Sequence, residues 1–311
     1  MQFRVPEEAV WSEMLFSQLT TGWYDWAVAH RLRTQNTHCW SITAAYYAQY
    51  MLLGSLLLSY RNGSIHREQR KNQLIEGLTQ SHQALIRFYQ SRELTLNLKR
   101  DSKIETHEVD SFRREFLNHF SEVVGISQEA ADRILRTYGE ILQVGKFTRE
   151  SHTYHVLVVS HQMIPSVNVM NKTFYPRETV QKLGESLLET LPSINRMVMK
   201  VVSEVISSLE PEARALHFRH LSEEIEDFYK LADHEHLVPL PDVLEVCLSK
   251  LQERCALESK ELDPEVYEQF QHHFAKFDLK KRDYSYVTKN KENMLQVLNS
   301  LKACEICFCQ A

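Results

Sequence analysis

The sequence is poor in glycine and proline, the two residues that most often interrupt helices. Its 311 residues include only eight of each. No proline occurs between Pro6 and Pro165, and no glycine follows Gly184. Because proline breaks the interior of a helix and glycine weakens it, this scarcity favours long helices. The sequence therefore predicts an all-α protein.

Cysteine and long apolar runs are also scarce. The six cysteines are unevenly spaced, unlike the disulfide framework of a small secreted domain. The first residues, MQFRVPEEAVW, lack the basic start and apolar core of a signal peptide. No apolar stretch is long enough to span a bilayer, and the longest candidate, residues 44–60, is interpreted as a buried helix. We expect a cytoplasmic protein with reduced thiols and no membrane partner.

A large excess of one charge is absent as well. The formal net charge is -5 at pH 7, so binding to nucleic acid requires a local basic patch. The most basic segment, residues 276–291, interleaves lysine and arginine with aromatic residues, which neutralise phosphates and stack on bases respectively. It predicts either a basic loop or an RNA contact made by Lys280, Lys281, Arg282, Tyr284 and Tyr286.

The few glycines and prolines that do occur mark expected helix ends. Gly125 follows an apolar-periodic segment and predicts its end. Ser127 is expected to begin the next helix, which Gly145 is expected to close. Asp263 before a proline is a strong helix start. Helix starts are expected near five prolines of the second half, namely Pro176, Pro192, Pro211, Pro241 and Pro264.

Two stretches do not follow the helical pattern. Residues 94–109, LTLNLKRDSKIETHEV, alternate at first and have a polar centre, which predicts a small β-hairpin inserted between helices or a solvated loop. Residues 162–175 contain Pro165 and several turn-forming residues. We therefore predict two helical domains, residues 1–165 and 170–311, with a boundary in this second stretch.

One apolar segment of the first half carries a recognisable pattern. Residues 38–60 contain a Tyr-Tyr-Ala triplet followed by apolar residues, and in SHQALIRFY (81–89) a histidine precedes another apolar helix. This arrangement resembles the HEPN superfamily of small helical domains, although it is also compatible with ordinary core packing. The matching residues are Ala45, Tyr46, Tyr47, Ala48, Leu52, Leu53, Leu56, Leu57, His82 and Leu85.

The resemblance implies a function on RNA. Many HEPN proteins are metal-independent endoribonucleases, often with the site formed across a homodimer, so a prokaryotic toxin or phage-defence role without a cofactor is expected. Their signature combines arginine and histidine a few residues apart. Histidine can transfer protons near neutral pH, and arginine can stabilise the developing phosphate charge. The alternative is a non-catalytic adaptor or a subunit of a larger protein complex.

The first candidate for this signature is YRNGSIH, residues 60–66, with Arg61, Asn62 and His66. Asn-Gly is also turn chemistry, and Ser64 can cap a following helix. The alternative interpretation is therefore a connection between two helices. Arg-x4-His pairs with the same gap occur as Arg33 with His38, Arg61 with His66, and Arg114 with His119.

The second candidate is GKFTRESHTYHVLV, residues 145–158, where the family places its motif in chain order. It contains Arg149, His152, Tyr154 and His155. The gap between Arg149 and His155 fits the family signature, whereas Arg149 and His152 are closer together than usual. Its alternative interpretation is the solvated start of a helix.

Two other groups of side chains resemble metal ligands by type. Cys304, Cys307 and Cys309 lack a second paired motif and are interpreted as free thiols. On one helical face, histidines and acids recur at helical spacing, but no Glu-x-x-His pair supports a metal bundle. That face is interpreted as solvated, and no metal is expected. Its residues are His217, His220, Glu224 and Asp227.

Overall fold

A computed structural model of the protein describes residues 5–35, 38–60, 65–97, 103–153, 167–168, 173–174, 177–234 and 240–281. Over these ranges the chain forms ten α-helices and four two-residue strands. The prediction of an all-α fold is confirmed.

The described elements follow one another as a series of helices interrupted by two minimal hairpins. The helices are α1 (Val5–Thr34), α2 (His38–Ser59), α3 (Ile65–Thr79), α4 (His82–Tyr89), α5 (Thr106–Val124), α6 (Gln128–Thr153), α7 (Arg177–Ser207), α8 (Pro211–His234), α9 (Asp242–Glu258) and α10 (Pro264–Lys281). The strands are β1 (Leu96–Asn97), β2 (Lys103–Ile104), β3 (Val167–Asn168) and β4 (Thr173–Phe174).

Two compact units are distinguished by their internal packing. The larger comprises the described residues within 11–262, and the smaller comprises those at the two ends, 5–10 and 263–281. Since the predicted boundary at 162–175 falls where only β3 and β4 are described, the predicted domains 1–165 and 170–311 stay a prediction. Within the larger unit, buried side chains of α2 and α7 belong to the same hydrophobic core.

Helix α2 occupies the centre of the larger unit. It packs along α7 and α6 and also contacts α3. Leu52, Leu53, Leu56 and Leu57 are all fully buried, as expected for a helix that is apolar on every side. None of the helices in the described ranges combines the length and apolar character needed to cross a membrane.

A small hairpin lies between α4 and α5, as predicted for residues 94–109. Strands β1 and β2 pair antiparallel, with Leu96 opposite Ile104 and Asn97 opposite Lys103. The two apolar residues of this ladder are buried, which anchors the hairpin to the core. The second hairpin, β3 with β4, was not predicted, because residues 162–175 were interpreted from their turn-forming residues as a domain boundary and not as strands.

Several helix ends lie where the local signals predicted them. Gly125 adopts a left-handed conformation with φ 75°, and its N–H bonds back to the Ser121 carbonyl at the end of α5. Ser127 caps α6 by accepting from the backbone N–H of Ala130 at 3.2 Å. Asp263 accepts from the N–H of Glu265 at 2.9 Å at the start of α10. Helices α7, α8 and α9 begin at or next to Pro176, Pro211 and Pro241.

Two predicted helix boundaries are wrong. Helix α6 continues through Gly145 to Thr153 instead of closing there. Helix α7 likewise runs through Pro192, which was expected near a helix start. In α7, the neighbouring Leu191 and Ile194 are buried in the core. Tertiary packing therefore overrides the local preference of these residues to interrupt a helix.

Candidate functional site

Arg149, on α6, contacts two consecutive tyrosines of α2. Its Nη1 donates a hydrogen bond of 3.1 Å to the hydroxyl oxygen of Tyr47. Its guanidinium carbon lies 5.1 Å from the ring centroid of Tyr46 and 5.5 Å from that of Tyr47, which is within the range of cation–π attraction. The Arg149 side chain is 12% exposed. A permanent cation is thus held against two aromatic rings with limited access to water.

Gly145 explains how α6 approaches α2 closely enough for these contacts. A Cβ atom at this position would lie 2.8 Å from Gln49 Oε1 and 2.8 Å from Tyr46 Cδ2. Glycine lets the α6 backbone approach these two side chains. Arg149 follows four residues later, so it lies one turn further along the same face. Gln49 is itself held by donating from Nε2 to the Thr190 hydroxyl at 2.8 Å.

His82 meets the same tyrosines from a third helix. It is the first residue of α4, whose N-terminus is capped by Ser81 accepting from the Ala84 N–H at 3.3 Å. The His82 ring stacks on Tyr50 with centroids 4.0 Å apart and planes parallel to within 1°. Its Nδ1 is hydrogen-bonded to the Tyr46 hydroxyl. Burial, followed by the charges of Arg149 and Lys146, lowers the pKa of His82 below its usual value.

The two buried tyrosines of this group stay protonated at neutral pH. Burial raises the pKa of Tyr46 above the ordinary tyrosine value, although the charge of Arg149 acts in the opposite direction. Burial raises the pKa of Tyr50 to about 12, and its hydroxyl donates to the Thr79 carbonyl. Neutral phenols at these positions serve as hydrogen-bonding groups and as ring surfaces for the histidine and the arginine.

Among the described side chains, the charges around the group sum to a small positive excess. Lys146 lies one turn before Glu150 on α6, 3.8 Å from it, and donates to Gln83 Oε1 of α4 at 3.0 Å. Glu150 also lies 3.4 Å from Arg149. Two cations therefore face one carboxylate, while His82 with its lowered pKa favours the neutral form. This balance favours an anionic ligand over a cationic one.

Together these side chains form what we call the Arg149 cluster, consisting of Arg149, His82, Tyr46, Tyr47 and Tyr50. A guanidinium has five N–H donors, and in the described part of the chain those of Arg149 make one hydrogen bond to Tyr47 and one to Glu150. Donors remain for an anion. An arginine and a neutral histidine around shared tyrosines are suited to bind a phosphate and to move a proton beside it.

Of the predicted site residues, Arg149 is the one whose side chain is described, and it lies in the cluster. The backbones of His66 and His152 belong to α3 and α6, and those of Lys280 and Lys281 to α10, but their side chains lie outside the described residues. The remaining predicted residues lie wholly outside them, namely Arg61, Asn62, Tyr154, His155, Arg282, Tyr284 and Tyr286. Whether these residues act in a site stays a prediction.

The ends of α2 and α3 agree with a connection between helices at YRNGSIH. Helix α2 ends at Ser59 and α3 begins at Ile65, which puts His66 in the first turn of α3. In the Arg114 and His119 pair, Arg114 is exposed on α5, whereas His119 packs against the ring of Tyr60 at 5.1 Å. Burial lowers the pKa of His119, and the residue is half-buried.

Sequence reasoning placed His82 in the family pattern but did not name it as a site residue. Arg149 lies 67 positions later, and the packing of α4 and α2 on α6 brings the two residues to the same tyrosines. The available signal was Ser81, which as a helix cap fixes the histidine at the start of α4. Lys146 was missed for the same reason, since its contact with Gln83 crosses between helices.

The histidine-rich face of α8 is not solvated as predicted. His217 and His220 are 1% and 7% exposed. His217 Nδ1 lies 3.1 Å from the hydroxyl oxygen of Ser12, and its ring meets the edge of Trp11 at 5.3 Å. The interpretation as a solvated face is therefore wrong for both histidines, because α1 covers them. Asp227 of the same helix is exposed, so the solvated interpretation holds for this residue.

Comparisons of the chain with models of protein families, with curated proteins and with solved structures gave no match.

Proposed function

We propose that this chain is a HEPN-like protein that binds RNA through the Arg149 cluster and cleaves it without a metal ion. The observation that carries the proposal is the convergence of Arg149 and His82, from α6 and α4, on the tyrosines of α2. The Tyr-Tyr-Ala triplet and the histidine before the apolar helix are the features of the resemblance. Arg149 contacts both tyrosines of the triplet, and His82 is hydrogen-bonded to one of them, which supports a common role.

The chemistry follows from the two ionisable groups. Arg149 would bind the phosphate and stabilise the negative charge that grows on it during cleavage. When Nδ1–H of His82 donates to the Tyr46 oxygen, Nε2 is free to accept the proton of the RNA 2′-hydroxyl. The 2′-oxygen then bonds to phosphorus as the bond between phosphorus and the 5′-oxygen breaks, the leaving 5′-oxygen takes a proton from solvent water, and His82 returns its proton to the solvent. The products are a 2′,3′-cyclic phosphate and a 5′-hydroxyl end.

RNA binding and cleavage by the full chain test this proposal. Labelled single-stranded and hairpin RNAs would be incubated in EDTA with the wild type, Arg149→Gln and His82→Gln. Circular dichroism in the same buffer checks that the fold is unchanged. Arg133→Gln is the matched control, because Arg133 lies on the same helix with a side chain that is 77% exposed. Arg61→Ala/His66→Ala and His152→Ala/His155→Ala test the other predicted pairs.

We expect wild type and Arg133→Gln to cleave, and Arg149→Gln to lose about 10²–10³ in rate. Loss in His82→Gln with RNA binding retained would assign proton transfer to the histidine. Loss only in Arg61→Ala/His66→Ala would move the site to the first candidate. If the wild type neither binds nor cleaves RNA, the proposal is wrong.

The proposal includes assembly into a homodimer or a larger complex, since enzymes of the HEPN family often build their site from two copies. Light scattering after size-exclusion chromatography measures the mass in solution. A monomeric mass at concentrations at which the protein cleaves RNA would contradict the dimer and leave the Arg149 cluster as a site within one chain.

A helical adaptor remains the second candidate because of the exposed apolar side chains of α9. Val243, Val246 and Leu257 share one face of this helix and are 49%, 54% and 75% exposed. Apolar groups gathered on an exposed face are typical of contacts with other proteins. If the wild type lacks RNA activity and a co-purifying protein is lost in Val246→Ser/Leu257→Ser, the adaptor function is supported.

A further inference from the structure

Three side chains of the metal-binding types meet between α1 and α8, outside the Arg149 cluster. His220 and Glu224 lie one turn apart on α8, and Glu13 reaches them from α1. His220 Nε2 lies 3.7 Å from Glu13 Oε2 and 3.9 Å from Glu224 Oε1. One ligand atom from each residue lies within 4.8 Å of the other two. Two helices distant in sequence thus present one nitrogen and two oxygen donors to a common point.

These separations are close to those of a coordinated metal. Zn²⁺ binds imidazole nitrogen and carboxylate oxygen at about 2.0–2.2 Å, which puts ligand atoms of a tetrahedral site roughly 3.3–3.6 Å apart. The distances from His220 to the two carboxylates exceed this by only a few tenths of an ångström. The third separation, between the two carboxylates, is within 4.8 Å. Binding requires rotation of the two glutamate side chains toward the imidazole and toward each other, which is open to them because neither carboxylate is fully buried.

The surroundings hold the histidine in place. Its ring packs on Phe16 with centroids 5.2 Å apart, and the residue is 7% exposed. The glutamate side chains are 42% exposed for Glu13 and 25% for Glu224. With a neutral imidazole the three groups carry a charge of about −2, which a divalent cation balances. The more exposed Glu13 gives a cation a route in from the surface.

We propose that Glu13, His220 and Glu224 bind one divalent transition-metal ion of the Zn²⁺ class, joining α1 to α8. A ligand set of one imidazole and two carboxylates suits Zn²⁺ or Mn²⁺, whereas Mg²⁺ and Ca²⁺ prefer sets made only of oxygen ligands. Three protein ligands leave at least one coordination position for water or another small ligand. The site goes beyond the proposed RNA function and departs from the sequence expectation that no metal is bound.

The competing explanation is an ion-pair triad. A protonated His220 between Glu13 and Glu224 satisfies the same distances without a metal ion. The two explanations differ in what they predict for conservative substitutions. Removing one carboxylate charge weakens metal binding at a coordination site, whereas a simple ion pair has no metal affinity to lose.

Measurements of metal binding by the full chain distinguish the metal site from the ion-pair triad. The protein is stripped with EDTA, dialysed and titrated with Zn²⁺ by calorimetry, and with Co²⁺ by visible absorption. The measurements use a Cys304→Ser/Cys307→Ser/Cys309→Ser background, so that the C-terminal thiols do not contribute. Glu13→Gln and Glu224→Gln remove ligands with little change of shape. Asp227→Asn is the matched control, since its carboxylate is on the same helix but 68% exposed.

We expect one Zn²⁺ per chain, affinity reduced at least about tenfold in both glutamate variants, and full affinity in Asp227→Asn. The Co²⁺ complex should show weak visible bands without the near-ultraviolet band of a thiolate ligand. That spectrum identifies the ligand type even if a glutamate variant fails to fold. Absence of stoichiometric binding, a thiolate spectrum, or equal affinity in Glu13→Gln, Glu224→Gln and wild type overturns the proposal.

The two proposals fail independently. An RNA assay without activity leaves the metal titration unaffected, because the latter needs no substrate. A failed metal titration likewise leaves the Arg149 and His82 chemistry intact, since no step of it uses a metal ion.

Discussion

At the scale of single residues, the Arg149 cluster couples the electrostatics of three side chains. The ring of His82 is stacked on Tyr50 and hydrogen-bonded to Tyr46, while the Arg149 guanidinium lies against Tyr46. The tyrosine rings therefore lie between the guanidinium and the imidazole, but the charge of Arg149 still acts on His82. Any change in the charge of one should be measurable at the other.

Removing the charge of Arg149 should raise the pKa of His82. Burial is the largest cause of its lowered pKa, and the charge of Arg149 is the next. Arg149→Gln leaves the burial and removes the repulsion, so the pKa moves part of the way back. NMR titration of the imidazole protons measures it, with Arg133→Gln as control. An unchanged or lower pKa in Arg149→Gln contradicts the geometry of the cluster.

The same histidine should make stability depend on pH. Its folded-state pKa is lowered, so below about pH 6.5 the unfolded chain takes up a proton that the folded chain does not. The free energy of unfolding therefore falls as the pH drops from this value toward the folded pKa, and this contribution levels off below it. Urea titrations across that window should show a smaller fall in His82→Gln than in the wild type.

The exposed His107→Gln is the matched control for the loss of one imidazole. The same dependence on pH in wild type and His82→Gln would contradict the expectation.

The residue types of the candidate site could be predicted from the sequence, but which of these residues lie together in the fold could not. Arginine and histidine near apolar helices were recognised as candidates because their chemistry is intrinsic to the side chain. Which arginine meets which histidine depends on the packing of α4 and α6 on α2, and sequence spacing carries no information about that. For this reason Arg149 was predicted with His152 and His155, which stays a prediction, while His82 lies beside the same tyrosines among the described side chains.

At the scale of helices, local signals decided the ends, and packing decided where helices continue. Gly125 and Ser127 act through their own backbone and hydroxyl, so sequence alone identified them. Gly145 and Pro192 are also helix interrupters by type, but buried neighbours hold α6 and α7 together through them. A rule based on local preference fails at such positions, because the compensating contacts come from other helices.

Gly145→Ala should therefore destabilise the protein, although alanine is the better helix former. The new methyl group would meet Gln49 Oε1 and the Tyr46 ring at 2.8 Å, and such overpacking costs about 1–3 kcal/mol. The gain in helix propensity is about 1 kcal/mol at most. Thermal and urea unfolding measure the balance.

Gly22→Ala is a milder comparison, because its nearest neighbour lies at 3.1 Å. If Gly145→Ala is at least as stable as wild type, the contact between α6 and α2 at this position has room for a methyl group.

A buried arginine joins three helices near the other end of α4. Arg113 of α5 donates from Nε to the Phe88 carbonyl at 2.8 Å and from Nη2 to Asp132 of α6 at 2.7 Å. Arg113→Gln removes both bonds in a buried site and should cost roughly 2–4 kcal/mol. Unfolding in urea measures this loss.

The control has the same partner at the same distance. Arg136 also donates to Asp132 at 2.7 Å, but its side chain is 55% exposed, so Arg136→Gln should cost less than about 1 kcal/mol. Equal losses in the two variants would show that burial does not determine the strength of these pairs.

At the scale of the whole molecule, the first and second halves of the chain share interactions. Trp23 Nε1 donates to Asn195 Oδ1 at 2.9 Å, and Gln49 Nε2 donates to the Thr190 hydroxyl at 2.8 Å. Both bonds join α1 or α2 to α7, across the boundary that the sequence suggested at 162–175. The division into two domains at this stretch stays a prediction, because only β3 and β4 are described there.

Separate expression of the two predicted domains tests this shared packing. The fragment 1–165 lacks α7 and so exposes the apolar surface of α2 that α7 covers. We expect it to be poorly soluble or to lack cooperative unfolding, as judged by circular dichroism and size-exclusion chromatography. A fragment 1–165 that folds cooperatively by itself would support the two-domain prediction.

The covering of α2 by α7 also has a consequence for synthesis on the ribosome. About 120 residues separate the end of α2 from the start of α7, and translation proceeds at roughly 5–20 residues per second. Helix α2 is therefore synthesised on the order of ten seconds before α7, the helix that covers its apolar surface. We therefore expect the nascent chain to be prone to aggregation during that interval.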